Sequence, residues 1–215
     1  MPTPTGTDRR SPAKHQAILH AATEVFLREG YSRASVDQIA ATAEVGKQTV
    51  YGHFGNKQKL FLAVIEEAQR AVGVGPEGLT TLIDDNADAR TGLEAAGERL
   101  LKATLAPDVS ALHRLTIAEL AHHPELQRSW RDESASEAII EAVAQFFTER
   151  ARRGELEVAD ARLSARQFIM LLSAEGQVRS LRGVHPLSDE EIREISRTTT
   201  DLFLRAHRPS GPAAA

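Results

Sequence analysis

Lys47, Gln48, Thr49 and Tyr51 are the side chains of this sequence best suited to form hydrogen bonds with a polar partner. They lie on a short predicted helix with hardly any apolar face of its own, so this helix is poorly suited to a hydrophobic core. A lysine donates to O6 and N7 of guanine, and a glutamine pairs with N6 and N7 of adenine, both in the major groove of DNA. A polar helix that follows a tight turn is the arrangement by which a helix-turn-helix reads DNA. The chemistry expected of these residues is therefore DNA recognition.

The preceding helix is predicted to begin at Ser35, which caps it while Gln38 reaches back, the S-x-x-Q form of the capping box. Its apolar face comes from residues spaced at i, i+3, i+4 and i+7, namely Val36, Ile39, Ala40 and Ala43. The break at residues 44–46 ends on a glycine, and Asn56 opens the next helix. The spacing therefore predicts two short helices, a tight turn and the start of a third helix.

The rest of the chain is also predicted to be helical, so the expected fold class is all-α. Pro12 follows Ser11 at the start of the first helix, and Gly30 ends that helix. Further helices are predicted at 56–72, 89–105, 111–122, 125–153, 161–181 and 188–207. The helix at 111–122 is apolar on almost every side and is expected to be buried. A second capping box, S-D-E-E, opens the last helix at Ser188.

Composition restricts the possible functions. The chain has 215 residues, no cysteine and a net charge of −4. Residues 1–60 carry eight Lys and Arg against five Asp and Glu, whereas residues 61–215 carry 18 against 25, so contact with phosphates is expected at one end. The N-terminus is polar and the apolar runs are short, so we expect no secretion signal, no membrane span and a cytoplasmic protein. The sequence has no G-x-x-x-x-G-K, no G-x-S-x-G and no cysteine nucleophile, so we predict no enzyme activity and no cofactor.

Residues 17–68 resemble the DNA-binding domain of the TetR family of transcriptional regulators. The resemblance rests on Gly30-Tyr31, Ser35-Val36, Ile39-Ala40, Thr49-Val50-Tyr51, His53-Phe54 and Asn56-Lys57. Residues 114–172 resemble the AefR-like branch of C-terminal domains through Ile117-Ala118-Glu119, Pro124-Glu125-Leu126 and Gly154-Glu155-Leu156. The resemblance implies an N-terminal three-helix helix-turn-helix domain at 11–72 and a larger C-terminal helical ligand-binding and dimerisation domain at 73–208. A disordered arm at 1–10 and a disordered tail at 209–215 complete the expected organisation.

Eight residues match positions that contact DNA in the family, namely Ser35, Lys47, Gln48, Thr49, Tyr51, Gly52, His53 and Lys57. The resemblance assigns Lys47, Gln48 and Gly52 to base edges and the others to the sugar-phosphate backbone, where hydroxyl, imidazole and ammonium groups donate to phosphate oxygens. Gly46 stands where many family members have a serine that caps the recognition helix, and glycine caps adequately. The alternative is that Lys47 and Gln48 only solvate a surface helix.

The resemblance also implies a homodimer, in which helices 161–181 and 188–207 pack against their copies. Both helices carry more apolar surface than packing within one chain needs. In such a dimer, two DNA-binding domains about 34–36 Å apart read the two halves of an inverted repeat. A small-molecule pocket is implied among the middle helices, with the candidates His113, Thr116, Glu119, Leu120, Trp130, Phe147, Phe168 and Leu172. Core packing is the alternative for most of them, whereas Glu119 and Trp130 are better candidates because buried polar groups need partners. The histidines lack the i, i+4 spacing of a zinc site, so no metal is expected.

These features predict a bacterial, ligand-responsive transcriptional regulator. The specific expectation is a repressor that binds an inverted-repeat operator in double-stranded DNA as a homodimer and is released by a small-molecule effector. One alternative is a DNA-binding regulator that acts through protein partners without a small-molecule ligand. Another alternative is an enzyme whose active site lies in the C-terminal helical domain, but the sequence contains no catalytic motif that favours this function.

Overall fold

The structure is a computed structural model that describes residues 11–73, 87–124, 126–127 and 136–209. Within these ranges it contains nine α-helices and no β-strand. The helices are α1 (Pro12–Arg33), α2 (Val36–Thr42), α3 (Lys47–Phe54), α4 (Lys57–Ala71), α5 (Ala89–Thr104), α6 (Pro107–Leu120), α7 (Ser136–Arg152), α8 (Ala161–Arg179) and α9 (Asp189–Ala206). The all-α prediction is confirmed. The arm predicted at 1–10, most of the tail at 209–215 and the candidate Trp130 lie outside the described residues.

Contacts divide the chain into two compact units. The first unit combines Met1–Ala68 with Ala111–Glu133, and the second combines Gln69–Ser110 with Ser134–Ala215. The described residues from 111 to 127 therefore group with the N-terminal helices, although the sequence-based division assigned them to the C-terminal domain. That division, between residues 72 and 73, stays a prediction.

Aromatic rings fill the core of the first unit. Phe61 of α4 lies 5.0 Å, between ring centroids, from both Phe26 and Tyr31 of α1. Helix α3, which is predicted to be the recognition helix, contributes Val50 and Phe54 to the same core, and both side chains are buried. Because these two residues are spaced at i and i+4, they fix one side of α3 and leave its opposite side outside the core.

Local signals set several helix boundaries as predicted, although the helix predicted at 111–122 begins at Pro107. Regular helix geometry in α1 is interrupted at Gly30, whose φ of 80° lies in the left-handed region that favours glycine. The capping box at the start of α2 is present, since Ser35 Oγ accepts from the backbone N–H of Gln38 and Gln38 Oε1 accepts from that of Ser35. Ser188 and Glu191 form the equivalent pair at the start of α9. These interactions lie within four residues, which is why the sequence predicts them.

Helices α5, α7, α8 and α9 form the second unit around an aromatic core. Phe168 of α8 makes edge-to-face contacts with Phe147 of α7 and Phe203 of α9. Helix α5 packs so closely on α7 that a Cβ added at Gly92 would lie 2.5 Å from Phe146 Cζ. Residues of this core are therefore tightly packed against each other.

A buried arginine links three elements of the second unit. Arg150 of α7 is completely buried, and its Nη1 donates to Glu155 Oε1 at 3.1 Å. Its guanidinium also lies 4.7 Å from the centre of the Phe146 ring. Glu155 Oε2 accepts from the backbone N–H of Ala89 at the start of α5, at 3.2 Å. The ion pair thus fixes the turn after α7 to the first residue of α5.

Two helices expose an apolar side chain, and one of these helices was predicted to be buried. On α9, Leu202 is exposed, whereas Ile192, Ile195 and Phe203 are buried. The helix predicted at 111–122 is not buried on every side, because Ile117 is also exposed. Apolar residues occur on protein surfaces as well as in cores, so their number on a helix does not by itself decide burial.

Candidate nucleic-acid interface

The turn between α2 and α3 is tight and contains one strained residue. Glu44 has a φ of 53°, in the left-handed region, whereas Gly46 has a φ of −72° and serves as the N-cap of α3. The backbone N–H of Val45 donates to Ala40 O at 3.0 Å, which closes the turn on α2. Because Gly46 supplies no side-chain cap, the N-terminal N–H groups of α3 are left without a hydroxyl partner.

The outward side of α3 carries the residues predicted to contact DNA. Lys47, Gln48 and Gly52 are exposed, and Tyr51 is 39 % exposed. Thr49 and His53 are half-buried at the edges of this surface. Apart from the adjacent backbone of α3 and the two neighbouring residues, no heavy atom lies within 4 Å of a Cβ added at Gly52, so this part of the backbone is open to close approach by a partner. The helix therefore offers donors and an accessible backbone on one face.

Lys47 is held by a carboxylate of the neighbouring helix. Its Nζ lies 2.8 Å from Asp37 Oδ2, and the hydrogen bond to Asp37 raises the pKa of Lys47. Both side chains are largely exposed, with 47 % of Lys47 and 67 % of Asp37 accessible. The ion pair thus lies on the same outward surface as the residues predicted to read base edges.

Lys57 forms contacts within the protein that the sequence did not predict. It is the first residue of α4, which Asn56 caps by accepting from the backbone N–H of Lys59 at 2.8 Å. The Lys57 ammonium turns toward the end of α1, donating to Tyr31 O at 2.9 Å and Ala34 O at 3.1 Å, and lies 4.5 Å from the centre of the Tyr31 ring. Burial lowers the pKa of Lys57, and the negative charge of Glu119 opposes that shift. Its contact with phosphate stays a prediction.

Histidine rings border α3 on the side of α1. His15 stacks on Phe54 with ring centroids 4.7 Å apart and lies 5.6 Å from the His53 ring. These two histidines line a shallow groove together with Pro12 and Gln16 at the start of α1. His53 is thus positioned by ring contacts beside the outward face of α3.

Two family profiles cover most of the chain. Residues 18–64 match the profile described as "Bacterial regulatory proteins, tetR family", and residues 91–209 match "AefR-like transcriptional repressor, C-terminal domain". The second match alone spans more than half of the chain. The chain belongs to the TetR family of transcriptional regulators. Both resemblances predicted from the sequence motifs are confirmed.

Curated relatives match over part of their length. The chain is 37 % identical over 100 residues to the transcriptional activator FasR of Mycolicibacterium smegmatis, covering 44 % of each protein. It is 38 % identical over 80 residues to the transcriptional repressor SCO4008 of Streptomyces coelicolor, covering 35 % of this chain and 42 % of that one. The matches therefore span less than half the length of these relatives, which include both an activator and a repressor.

Solved structures share the fold along nearly the whole chain. A TetR-family transcriptional regulator from Mesorhizobium loti MAFF303099 has a TM-score of 0.77 at 28 % identity, covering 92 % of this chain and 99 % of that one. The flavonoid-responsive regulator FrrA has a TM-score of 0.75 at 26 % identity, covering 93 % of this chain and 100 % of that one. The TetR-like fold, with an N-terminal helix-turn-helix and a C-terminal helical domain, is therefore confirmed.

The predicted effector residues of the first unit lie on or near α6. Glu119 Oε2 accepts from Ser32 Oγ at 2.7 Å and lies 3.3 Å from His123 Nε2. Thr116 is buried, and its hydroxyl donates to Leu112 O at 2.8 Å. His113 and Leu120 are half-buried on the same helix. The polar partner that Glu119 was expected to need is thus a serine at the end of α1.

The remaining effector candidates belong to the second unit. Phe147, Phe168 and Leu172 are completely buried in its core. Because these side chains pack against one another, an effector bound among them requires that the core rearrange. Their role in ligand binding stays a prediction.

Two residues of these contacts were not singled out by sequence reasoning, namely Asp37 and Ser32. Asp37 shares the outward surface with Lys47, and a carboxylate in the first turn of a helix is too common to mark a site by itself. Ser32 lies 87 residues from Glu119 in sequence, so no local pattern could pair them. Within the described ranges no three metal-ligating side chains come together and no helix is long and apolar enough to cross a membrane.

Replacing Gly52 by alanine is expected to raise stability while weakening DNA binding. Alanine in a helix interior is favoured over glycine by about 1 kcal/mol, and the added Cβ of Gly52→Ala meets no heavy atom within 4 Å. The same methyl group occupies the space through which DNA would approach, at a cost of about 1 kcal/mol per subunit, the scale of one lost base contact. Urea denaturation and operator titration measure the two effects.

The matched control is the same substitution at Gly92. There the new Cβ would lie 2.5 Å from Phe146 Cζ, so Gly92→Ala is expected to destabilise the protein by about 1 kcal/mol net of the helix gain. Unchanged operator affinity in the Gly52 variant would contradict the assignment of Gly52 to the DNA surface.

Proposed function

We propose that this TetR-family regulator is a cytoplasmic repressor that binds an inverted-repeat operator as a homodimer and is released by a small-molecule effector. The main support is α3, which is anchored by Val50 and Phe54 and directs Lys47, Gln48 and Tyr51 outward. An exposed helix of donors after a tight turn has the form required to enter the major groove. Lys47 and Gln48 read base edges in this proposal, and Thr49, Tyr51 and His53 contact the sugar-phosphate backbone.

An exposed apolar stripe on α8 supports the homodimer. The stripe consists of Leu163, Met170, Leu171 and Val178, with exposed fractions from 40 % to 72 %. Met170, Leu171 and Val178 follow Leu163 by seven, eight and fifteen residues, and these spacings place all four side chains on one face of the helix. The opposite face of α8 is already buried in the second unit through Phe168 and Leu172. An exposed apolar face marks an interaction surface, and the proposed occupant is the same stripe of a second copy.

The proposed effector is a small molecule that prefers one arrangement of the two subunits. One conformation of the dimer cannot place both DNA-binding domains on the two operator half-sites. A ligand that binds this conformation more tightly weakens operator binding through linkage. A relative of similar fold, FrrA, is described as flavonoid-responsive, which supports response to a small molecule here. The AefR-like profile, described as that of a repressor, supports the repressor sense of regulation.

A second candidate function is regulation through protein partners without a small-molecule ligand. It is favoured by the packing of the predicted effector residues, since Phe147, Phe168 and Leu172 are completely buried. Thermal unfolding in the presence of a chemically diverse compound set separates the two functions. A compound that raises the melting temperature and weakens operator binding supports the effector reading, because a ligand that binds only the folded state stabilises it.

Selection of genomic DNA tests the proposed function. Double-stranded fragments are incubated with the purified protein at near-physiological salt, and the retained fragments are sequenced. Enrichment of one inverted repeat is expected, and its affinity should fall about 10³-fold between 50 and 200 mM salt because phosphate contacts release counterions. Equal retention of all fragments, or an affinity independent of salt, would contradict the proposal.

A further inference from the structure

The ion pair between Asp37 and Lys47 joins the two helices of the helix-turn-helix on their exposed side. Asp37 is the second residue of α2, and Lys47 is the first residue of α3. Their polar atoms lie 2.8 Å apart, yet 67 % of the Asp37 side chain and 47 % of the Lys47 side chain are accessible. Ion pairs this exposed contribute little to stability. Folding alone therefore does not account for the carboxylate at this place.

A carboxylate beside the proposed DNA surface opposes binding to any DNA sequence. The phosphates of DNA repel Asp37, and they compete with it for the Lys47 ammonium. Asp37 does gain from the positive end of α2, as acidic residues in a first turn do. However, Ser35 already caps that helix end through its reciprocal hydrogen bonds with Gln38. The charge of Asp37 and its pairing with Lys47 are therefore the two ways in which it affects DNA binding.

Lys47 retains donors after it pairs with Asp37. An ammonium group has three N–H donors, and one of them is directed to Asp37 Oδ2. The remaining two suffice for O6 and N7 of a guanine, the acceptors that this base presents in the major groove. A free lysine side chain loses rotamer entropy when it is fixed in one conformation. Asp37 restrains Lys47 before DNA arrives, so less of that entropy is lost on binding.

We propose that Asp37 is a specificity-determining residue, which positions Lys47 to read a base edge and withholds it from phosphates. This inference rests on the proposed function, since it requires a preferred operator. Asp37 acts on two affinities at once. It weakens binding to DNA of arbitrary sequence by adding negative charge and occupying Lys47, and it supports binding to the operator by orienting Lys47. The ratio of the two affinities is therefore the quantity that Asp37 controls.

The test replaces Asp37 by asparagine, which keeps the shape of the side chain and removes its charge. Two duplexes are titrated: the one that the wild-type protein enriches from genomic DNA, and a scrambled duplex of the same base composition. Affinity for the scrambled duplex is expected to rise about threefold to tenfold per dimer, the scale of two exposed ion pairs. Affinity for the enriched duplex should stay the same or fall. Repeated selection with Asp37→Asn should lose the preference at one base pair in each half-site.

Two further variants separate positioning from charge. Glu24→Gln makes the same charge change in an exposed ion pair of α1, where Glu24 Oε1 lies 2.7 Å from Arg28 Nη1. This variant should leave the ratio of enriched-duplex affinity to scrambled-duplex affinity unchanged. Asp37→Glu restores a carboxylate and should recover much of the lost preference. In a Lys47→Gln background, Asp37→Asn should no longer alter which base pair is preferred, because the side chain that Asp37 positions is absent.

The outcomes distinguish this inference from the proposed function. If wild-type protein enriches an inverted repeat but Asp37→Asn raises both affinities equally, Asp37 acts through charge alone and the inference is wrong. The same conclusion follows if the selected base pairs do not change. If the wild-type protein shows no preferred sequence, the proposed function fails together with the inference. Melting temperatures of the variants within a few degrees of wild type show that the differences arise in binding.

Discussion

Replacing Met170 by aspartate is expected to convert the protein into a monomer and to lower its affinity for an inverted-repeat operator more than about 100-fold. Met170 is 64 % exposed within the apolar stripe of α8, so the substitution leaves the core of the second unit intact. A two-fold interface uses the same patch of both copies, so one substitution introduces two carboxylates. Once the subunits separate, the second half-site is no longer bound at the high effective concentration that the dimer provides.

Sedimentation velocity measures the oligomeric state, and fluorescence anisotropy with the selected duplex measures operator affinity. Met170→Leu retains an apolar side chain and should remain a dimer. Val72→Asp adds the same charge at a partly exposed apolar residue outside the stripe and should also remain a dimer. A dimeric Met170→Asp variant would show that the stripe is not the interface. A monomeric variant with unchanged operator affinity would show that DNA is not read by two joined subunits.

Features determined by a few neighbouring residues could be predicted from the sequence. Both capping boxes, at Ser35 and Ser188, are present because each needs only a hydroxyl and an acceptor three residues later. The interruption of α1 at Gly30 is present for a similar reason, since only glycine adopts its backbone angles readily. The family motifs extend this local information over the helix-turn-helix, and the predicted fold is accordingly confirmed.

Contacts between distant residues could not be predicted in the same way. Ser32 and Glu119 are 87 residues apart, and Lys57 and Tyr31 are 26 apart, so their contacts depend on how whole helices pack. An apolar residue such as Leu202 suits either a core or a subunit interface, and hydrophobicity does not distinguish the two. The sequence therefore predicts which residue types are available for function more reliably than which partner each of them contacts.

Lys57 is the residue for which these two kinds of information differ most. The resemblance assigns it to phosphate, whereas the structure directs its ammonium to carbonyl groups that end α1. Carbonyl groups at a helix C-terminus lack partners within the helix and carry partial negative charge, so an ammonium satisfies both requirements. A positive charge at the start of α4 interacts unfavourably with the positive end of that helix dipole. The contacts of the Lys57 ammonium with carbonyl groups at the end of α1 offset this cost. Lys57 thus joins the start of α4 to the end of α1.

Lys57→Met is expected to lower the free energy of unfolding by about 2 kcal/mol, since it removes charged hydrogen bonds to backbone carbonyls that are only half-buried. Lys59→Met removes the same charge from an exposed neighbour and should change stability by less than about 0.5 kcal/mol. Burial lowers the pKa of Lys57 in the folded state below its ordinary value of 10.5. At pH values between the folded-state pKa and 10.5, the unfolded chain therefore binds more protons than the folded protein. Stability of the wild type should therefore gain with rising pH across that window relative to Lys57→Met.

The salt dependence of operator binding decides between the two roles of Lys57. If Lys57 holds α1 and α4 together, Lys57→Met lowers stability while the slope of log K against log salt concentration stays at the wild-type value. If Lys57 contacts phosphate, the slope becomes shallower by about 0.9 for each lysine, or roughly 1.8 for two subunits. The titrations belong at a temperature well below the unfolding of the variant, so that lost folding does not imitate lost binding. We expect the unchanged slope, because the carbonyl groups of Tyr31, Ser32 and Ala34 already surround the ammonium.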